Sequence, residues 1–305
     1  MWYVYSKFTP EQLDEVITHF KNANYAYVAL SVFLSLSSHF FRAYRWKFML
    51  EPLGYRPKVA NNFMAVSVAY LMNVFIPKSG EVSRALVMTK YEKIPFDKGF
   101  GTIISERVVD LIFLLLFTLT ALFLQFDILY DYLANIVPVK KIGYILGALT
   151  LLGIVFLLFL KFGKNPLSLK IKRLISGLQD GVLSIVKMKK KGPFLLHTLV
   201  IWSLYITSFY TATQALDATQ SIGVGTIIIT FVVGSFAFAF TNSGFGTYPV
   251  AIAGILLVFG IAETTGTAFG WIVWTSHIVS IITVGAIAML VLPVYNRKIA
   301  ASSNN

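Results

Sequence analysis

The chain contains no cysteine, which excludes disulfides and thiolate-held metals. Histidine is also scarce. His19, His39, His197 and His277 stand far apart with no HxxxH or HxxE pair, so no metal site is expected and each reads as a hydrogen-bonding core residue. No P-loop, GxGxxG or GxSxG occurs in an interpretable context, and no cofactor is expected. Acidic residues number 14 against 26 Lys and Arg, a net charge of +12. In a soluble protein that excess points to nucleic acid. Here the cations sit in loops between apolar runs, where they report topology and anionic lipid headgroups, so membrane lipids are the expected partners and nucleic acid is not.

Formal charge is absent over 22–41, 59–77, 142–160, 192–216, 218–262 and 264–296. A helix needs roughly 20 apolar residues to cross a bilayer. Hydrophobic residues make up 56% of the chain, in continuous rather than alternating runs, which selects helices over a barrel. The expected fold is an all-α polytopic membrane bundle of about 7–8 segments, with one or two re-entrant or broken helices. Residues 1–305 read as a single integral membrane domain. MWYVYSKF at the start resembles the last turn of a helix and 1–22 reads as the remnant of a first span, with an acidic stretch from Glu11 to Glu15.

Loop charge sets the expected topology. The stretch 161–193 holds nine Lys or Arg against Asp180, which makes it cytoplasmic. Within it, Ile171, Leu174, Ile175, Leu178, Val182, Ile185 and Val186 fall at helical spacing, so 163–192 reads as an amphipathic linker lying on the inner leaflet. The loop 127–141 opens with Asp127 and Asp131 and is placed outside. Helix 99–126 then starts inside, after a loop 78–98 bearing Lys78, Arg84, Lys90, Lys93 and Lys98. Further helices are expected at 23–46, 142–162, 193–215, 222–241 and 265–294, with the C-terminus cytoplasmic. The loop 42–58 is basic too. If both basic loops lie inside, 59–77 is a re-entrant hairpin; the alternative is a plain crossing. A second interruption, TNSGFGTYP at 241–249, leaves a short helix to Ala262. Interrupted segments in two halves point to a transporter site at mid-membrane.

Ionisable groups gather at the first interruption. Glu81 and Arg84 share a helix face, as do Glu106 and Asp110, and Arg107 lies three residues from Asp110. Arg42 and Arg45 share a face at the end of the first helix, with Trp46 read as an interfacial anchor. Such groups are costly in hydrocarbon unless paired or wet. They either staple helices or leave a guanidinium free to grip a phosphate, for which Arg84 is the leading candidate and Arg107 the second. Asn73, Asn242, Gly244, Gly246 and Tyr248 at the two breaks complete the candidate headgroup site. No nucleophile accompanies the carboxylates, so no catalytic residue is assigned.

The run RAYRW (42–46), the Asn73–Pro77 step followed by SGEVSR (79–84), and ERVVD (106–110) resemble the lysylphosphatidylglycerol synthase transmembrane region, the flippase-like domain family, over nearly the whole chain. The resemblance implies a multi-pass protein of the bacterial inner membrane that moves a phospholipid or polyprenyl-phosphate-linked headgroup. It carries the GE–R motif onto Gly80, Glu81 and Arg84, and the ER–D motif onto Glu106, Arg107 and Asp110. Two alternatives stand beside translocation: a non-transporting partner of a lipid-modifying enzyme or glycosyltransferase, and an intramembrane transferase. No soluble transferase domain lies within the 305 residues, so this stretch is not read as an enzyme. Many members carry a Glu after the Gly-rich step of the second half; NSGFGTYP has none, which disfavours a cationic headgroup.

Overall fold

A computed structural model describes residues 8–128, positions 130, 147, 151, 152, 154, 158, 159 and 162, and residues 188–302. The expected helix 142–162 falls largely outside these residues, as do most of the loop 127–141, the amphipathic linker up to residue 187, and residues 1–7. Among the described residues the regular structure is helical, without a strand. The chain is an all-α membrane bundle.

The helices are α1 (Pro10–Asn22), α2 (Tyr25–Leu50), α3 (Val59–Phe75), α4 (Gly80–Glu92), α5 (Phe96–Leu124), α6 (Lys191–Thr213), the single turn α7 (Asp217–Gln220), α8 (Val224–Phe240), α9 (Thr247–Val258) and α10 (Glu263–Ser302). Among the described residues three are long and apolar enough to cross a bilayer: Phe96–Leu124, Lys191–Thr213 and Glu263–Arg297. α2, with 26 residues and about 39 Å, is as long but is not among the helices apolar enough by composition. α1 is a separate element. Thr9 caps it reciprocally with Gln12, and Pro10 fits the first turn, so the acidic stretch opens a helix of its own.

Two boundaries differ from the sequence reading, both because charge resembles a loop. α2 continues through Arg42, Arg45 and Lys47 to Leu50, where those side chains find partners rather than water. The basic stretch after Pro77 is helical from Gly80 to Glu92 and buries Arg84, Ala85 and Met88 on one face.

α3 and α4 form an antiparallel hairpin. At its open end Glu92 Oε1 accepts from the backbone N–H of Lys58 (3.1 Å) and from Asn61 Nδ2 (2.5 Å). At its closed end Asn73 Oδ1 accepts from the Gly80 N–H at 2.8 Å. A Cβ on Gly80 would overlap the Ala69 carbonyl and the Asn73 side chain, so only glycine permits this turn. The hairpin is thus built from 59–92; 59–75 is one continuous helix and does not turn back on itself within 59–77, because the return limb is the charged stretch after Pro77. α8 and α9 form a second hairpin. Its turn places Ser243, Gly244 and Gly246 at positive φ, and the Tyr248 ring packs on Phe238 and against Gly234.

The hairpins enter from opposite faces. Asn61 and Asn296 exchange hydrogen bonds of 2.9 and 3.0 Å, which puts the open end of the first hairpin beside the end of α10. The Asn24 N–H donates to Ala215 O at 2.8 Å, and Gly225 lies against Gln125, which gathers the start of α2, the ends of α5 and α6 and the start of α8 at the other face. The order span, hairpin, span therefore occurs twice with opposed direction: α2, α3–α4, α5, then α6, α8–α9, α10. The tips meet inside. Ser243 Oγ donates to Asn73 O (3.1 Å), Asn242 Nδ2 to Val74 O (3.4 Å) and Lys78 Nζ to Ala239 O (2.5 Å).

α10 ties both hairpins together. Apolar surface gives little drive between helices in lipid, so close approach of small residues matters more. A Cβ on Gly270 would stand 2.7 Å from Pro249 Cα, and one on Gly285 would stand 2.9 Å from Ser67 O. The first contact fixes α9 and the second fixes α3.

Candidate functional site

A carboxylate pair organises the interior. Glu106 and Asp110 lie one turn apart on α5, facing α2. Glu106 is fully buried and meets three guanidiniums: Arg42 Nη1 at 2.6 Å, Arg45 Nη2 at 3.2 Å and Arg84 Nη2 at 3.0 Å. Asp110 takes Arg42 Nη1 at 2.5 Å and Arg45 Nη2 at 3.0 Å. Arg42 also donates to Tyr205 and Arg45 to Thr198, so the network joins α2, α4, α5 and α6. Removing one partner of a buried ion pair costs about 3–5 kcal/mol, because it leaves the other charge uncompensated.

Arg84 is spent on structure. Both of its Nη groups bond Glu106 and its plane lies 3.8 Å from the centre of the Trp46 ring. Trp46 is completely buried and donates to Thr102 Oγ1 at 2.9 Å, so it is a core platform and not an interfacial anchor. Of the two candidate arginines, Arg107 is the more open. Arg107 stays 39% exposed, held by Glu81 at 3.1 Å and only loosely by Asp110 at 3.8 Å.

Arg107 faces a cavity of about 420 Å³ between the hairpins. Arg42, His39 and Ser35 line it from α2, Tyr70 from α3, and Asp110 from α5. Trp202, Tyr205 and Ser208 close it from α6, Phe231, Gly234, Ser235 and Phe238 from α8, Tyr248 from α9, and Trp274 and His277 from α10. Its walls are mainly apolar, with eight Phe, Tyr and Trp among the described lining residues, and its charge is carried by Arg42, Arg107 and Asp110. The Nε groups of Arg42, Arg45, Arg84 and Arg107 and the Nε1 of Trp202 are buried without an acceptor, inside the packed network and not open to the cavity. Such a donor costs about 1–3 kcal/mol unless something accepts from it.

Of the residues singled out in the sequence, Arg42, Arg107, Asp110 and Tyr248 line the cavity. Glu81, Glu106, Arg45 and Arg84 stand behind them in the ion network. Asn73 and Asn242 build the seam between the tips, and Gly244 and Gly246 supply its left-handed backbone. Residues that sequence reasoning missed are Tyr70, Tyr205, Trp202, Trp274 and the histidines His39 and His277. His39 stacks on Tyr70 at 4.2 Å, and His277 Nε2 lies 3.5 Å from Ser31 Oγ. Isolated aromatics and histidines in apolar runs give no local signal; only the tertiary fold gathers them. Among the described residues no cluster of His, Asp or Glu suits a metal ion.

A stretch of 110 residues is 36% identical to the UPF0104 membrane protein MJ1595 of Methanocaldococcus jannaschii, covering 35% of this chain and 33% of that protein. A stretch of 100 residues is 32% identical to the glycosyltransferase AglD of Haloferax volcanii, covering 32% of this chain and 16% of that protein. The chain thus spans about a third of the first relative's length and about a sixth of the second's. No solved structure matches. The family model described as the lysylphosphatidylglycerol synthase TM region matches residues 1–288, and the chain belongs to that family.

Proposed function

We propose that the chain moves the headgroup of an anionic membrane lipid across the bilayer through the cavity between the hairpins, while the acyl chains stay in the surrounding lipid. The supporting observation is that Arg42 and Arg107 line one cavity together, with Asp110 as the carboxylate beside them. A phosphate brings several acceptor oxygens and a negative charge, and a guanidinium binds it with charge-assisted hydrogen bonds. The returning helices α4 and α9 also begin at the tips, so their positive dipole ends lie at mid-membrane.

The face bearing Lys58, Lys90, Lys93, Lys190 and Arg297 is the cytoplasmic one in this reading, and the face bearing Asp127, Asp217 and Glu263 is the outer one. Movement is passive or ion-coupled. The test is reconstitution into liposomes with a headgroup-labelled anionic phospholipid. Vesicles with the protein should expose both leaflets to an impermeant reagent, and Arg107→Ala should slow that exposure by about tenfold or more. Equal exposure with and without protein would overturn the reading.

A second reading rests on the relative named a glycosyltransferase, in which the similar stretch is a small part of a longer chain. In that reading the bundle presents a lipid to a lipid-modifying enzyme and transports nothing. Its signature is a stoichiometric enzyme captured in detergent, together with inert liposomes.

A further inference from the structure

A helix that ends inside a membrane leaves its last carbonyls to be satisfied by something other than bulk water. α3 and α8 both end at the seam between the tips, and each is capped in two ways. The first cap is local. Ser79 Oγ donates to Met72 O at 3.1 Å on α3, and Thr241 Oγ1 donates to Ala237 O at 2.6 Å on α8. The second cap crosses the seam. Ser243 and Asn242 of the second tip donate to Asn73 O and Val74 O of α3, while Lys78 of the first tip donates to Ala239 O of α8. Each tip thus finishes the first helix of the other hairpin.

The backbone is bent to allow this. Among the described residues three that are not glycine have positive φ: Lys93, just past the end of α4, and Lys78 (61°) and Ser243 (51°), one on each tip. The two on the tips are residues whose side chains reach across. A left-handed backbone without glycine is costly and persists where the surroundings impose it.

The two crossings differ in kind. Ser243 and Asn242 bring neutral donors. Lys78 brings a charge, which suits the negative end of α8, and its side chain stays exposed. Among the described residues it has no carboxylate partner. Its acceptor belongs to Ala239, a residue of the cavity wall. An ammonium held by one neutral carbonyl gains from an anion, because a hydrogen bond with charge on both partners is the stronger one.

We infer that Lys78 latches the seam and that a phosphate group releases it. The ammonium leaves Ala239 O for the phosphate, α8 loses its cross-seam cap, and the tips part. The phosphate belongs to a lipid headgroup or is free in solution. The latch serves the translocation reading and rests on it for its purpose, but tip separation alone decides it.

The chain has no cysteine, so two spin labels can be placed at chosen positions. Phe75→Cys and Phe240→Cys, both exposed, mark the ends of α3 and α8. Their separation is read by pulsed electron spin resonance on the purified full chain in a neutral detergent. One short separation is expected without anion. Short-chain phosphatidylglycerol should add a longer one, and short-chain diacylglycerol should not. A matching response to inorganic phosphate assigns the trigger to the phosphate itself, and a response to the lipid alone assigns it to a headgroup. Lys78→Met removes bond and charge and should show the longer separation without anion. Lys78→Gln keeps a donor for Ala239 O and should stay closed, needing about tenfold or more anion to open. Lys78→Arg should respond as the parent does. A closed seam in Lys78→Met overturns the latch. So does an undiminished anion response in Lys78→Gln, which decides the matter alone where the methionine variant does not fold, and so does a parent that answers neither phosphate probe. An anion-released latch in a protein that moves no lipid in liposomes sinks translocation and leaves the latch standing.

Discussion

The hairpins at 59–92 and 224–258 meet tip to tip from opposite faces, yet different forces hold them. The first carries Lys78, Glu81 and Arg84 at its tip, and Arg84 is locked to Glu106 on α5. The second has no Asp, Glu, Lys or Arg between 218 and 262 and is held by close contact, with Pro249 against Gly270 and Ser243 bonded to Trp274 Nε1 at 2.8 Å. A buried ion network is expensive to break, whereas a neutral hydrogen bond is worth about 1 kcal/mol net. The first hairpin is therefore built to stay and to fix the charge. The second supplies an aromatic wall and a seam that opens at low cost.

The sharpest way to break this contrast is Glu106→Gln, which keeps the shape and removes the charge facing three guanidiniums. It should destabilise the protein by about 3–5 kcal/mol in detergent denaturation. The second hairpin has no position with a comparable electrostatic effect; if Glu106→Gln costs no more than a seam variant, the ionic account of the first hairpin is wrong.

Packing comes next. Gly270→Val places a side chain against the Pro249 backbone and should cost about 1–3 kcal/mol, read by thermal unfolding. Gly80→Ala meets a backbone carbonyl and the capping Asn73, and should cost a similar amount at the other hairpin. A neutral outcome at Gly270 would mean that α10 does not fix the second hairpin.

The smallest expected effect lies at the seam. Ser243→Ala removes the bond to the Asn73 carbonyl and should cost about 1 kcal/mol or less, while increasing hydrogen exchange in 241–249 more than in 73–80. Equal loosening of both tips would erase the distinction between a fixed and a yielding hairpin.

Much of this was legible in the sequence, and its limits are physical. The uncharged runs gave the membrane class, because lipid forbids charge over a whole span. ERVVD and SGEVSR marked the network, because ionisable groups beside hydrocarbon need a reason. The turn at Asn73–Gly80 was visible as a break, but its depth and its return limb were not. Arg42 and Arg45 looked like loop cations because their partners on α5 lie more than 60 residues away. Which arginine stays partly exposed could not be read either: Arg84 and Arg107 have similar neighbours in sequence, yet one is buried and the other is 39% exposed. Trp46 looked interfacial for the same reason, since a buried guanidinium stacked on its ring leaves no local trace.

The absence of cysteine makes the most direct measurement simple. Ser235→Cys puts one thiol on the cavity wall contributed by the second hairpin, opposite the charge fixed with the help of the first. With a surplus of one positive charge in the cavity, a negatively charged thiol reagent should label this cysteine on the order of tenfold faster than a positively charged one of similar size, and Arg107→Gln should abolish the preference. An unreactive thiol, or equal rates for the two reagents with Arg107 in place, would contradict an accessible, positively charged cavity between the hairpins.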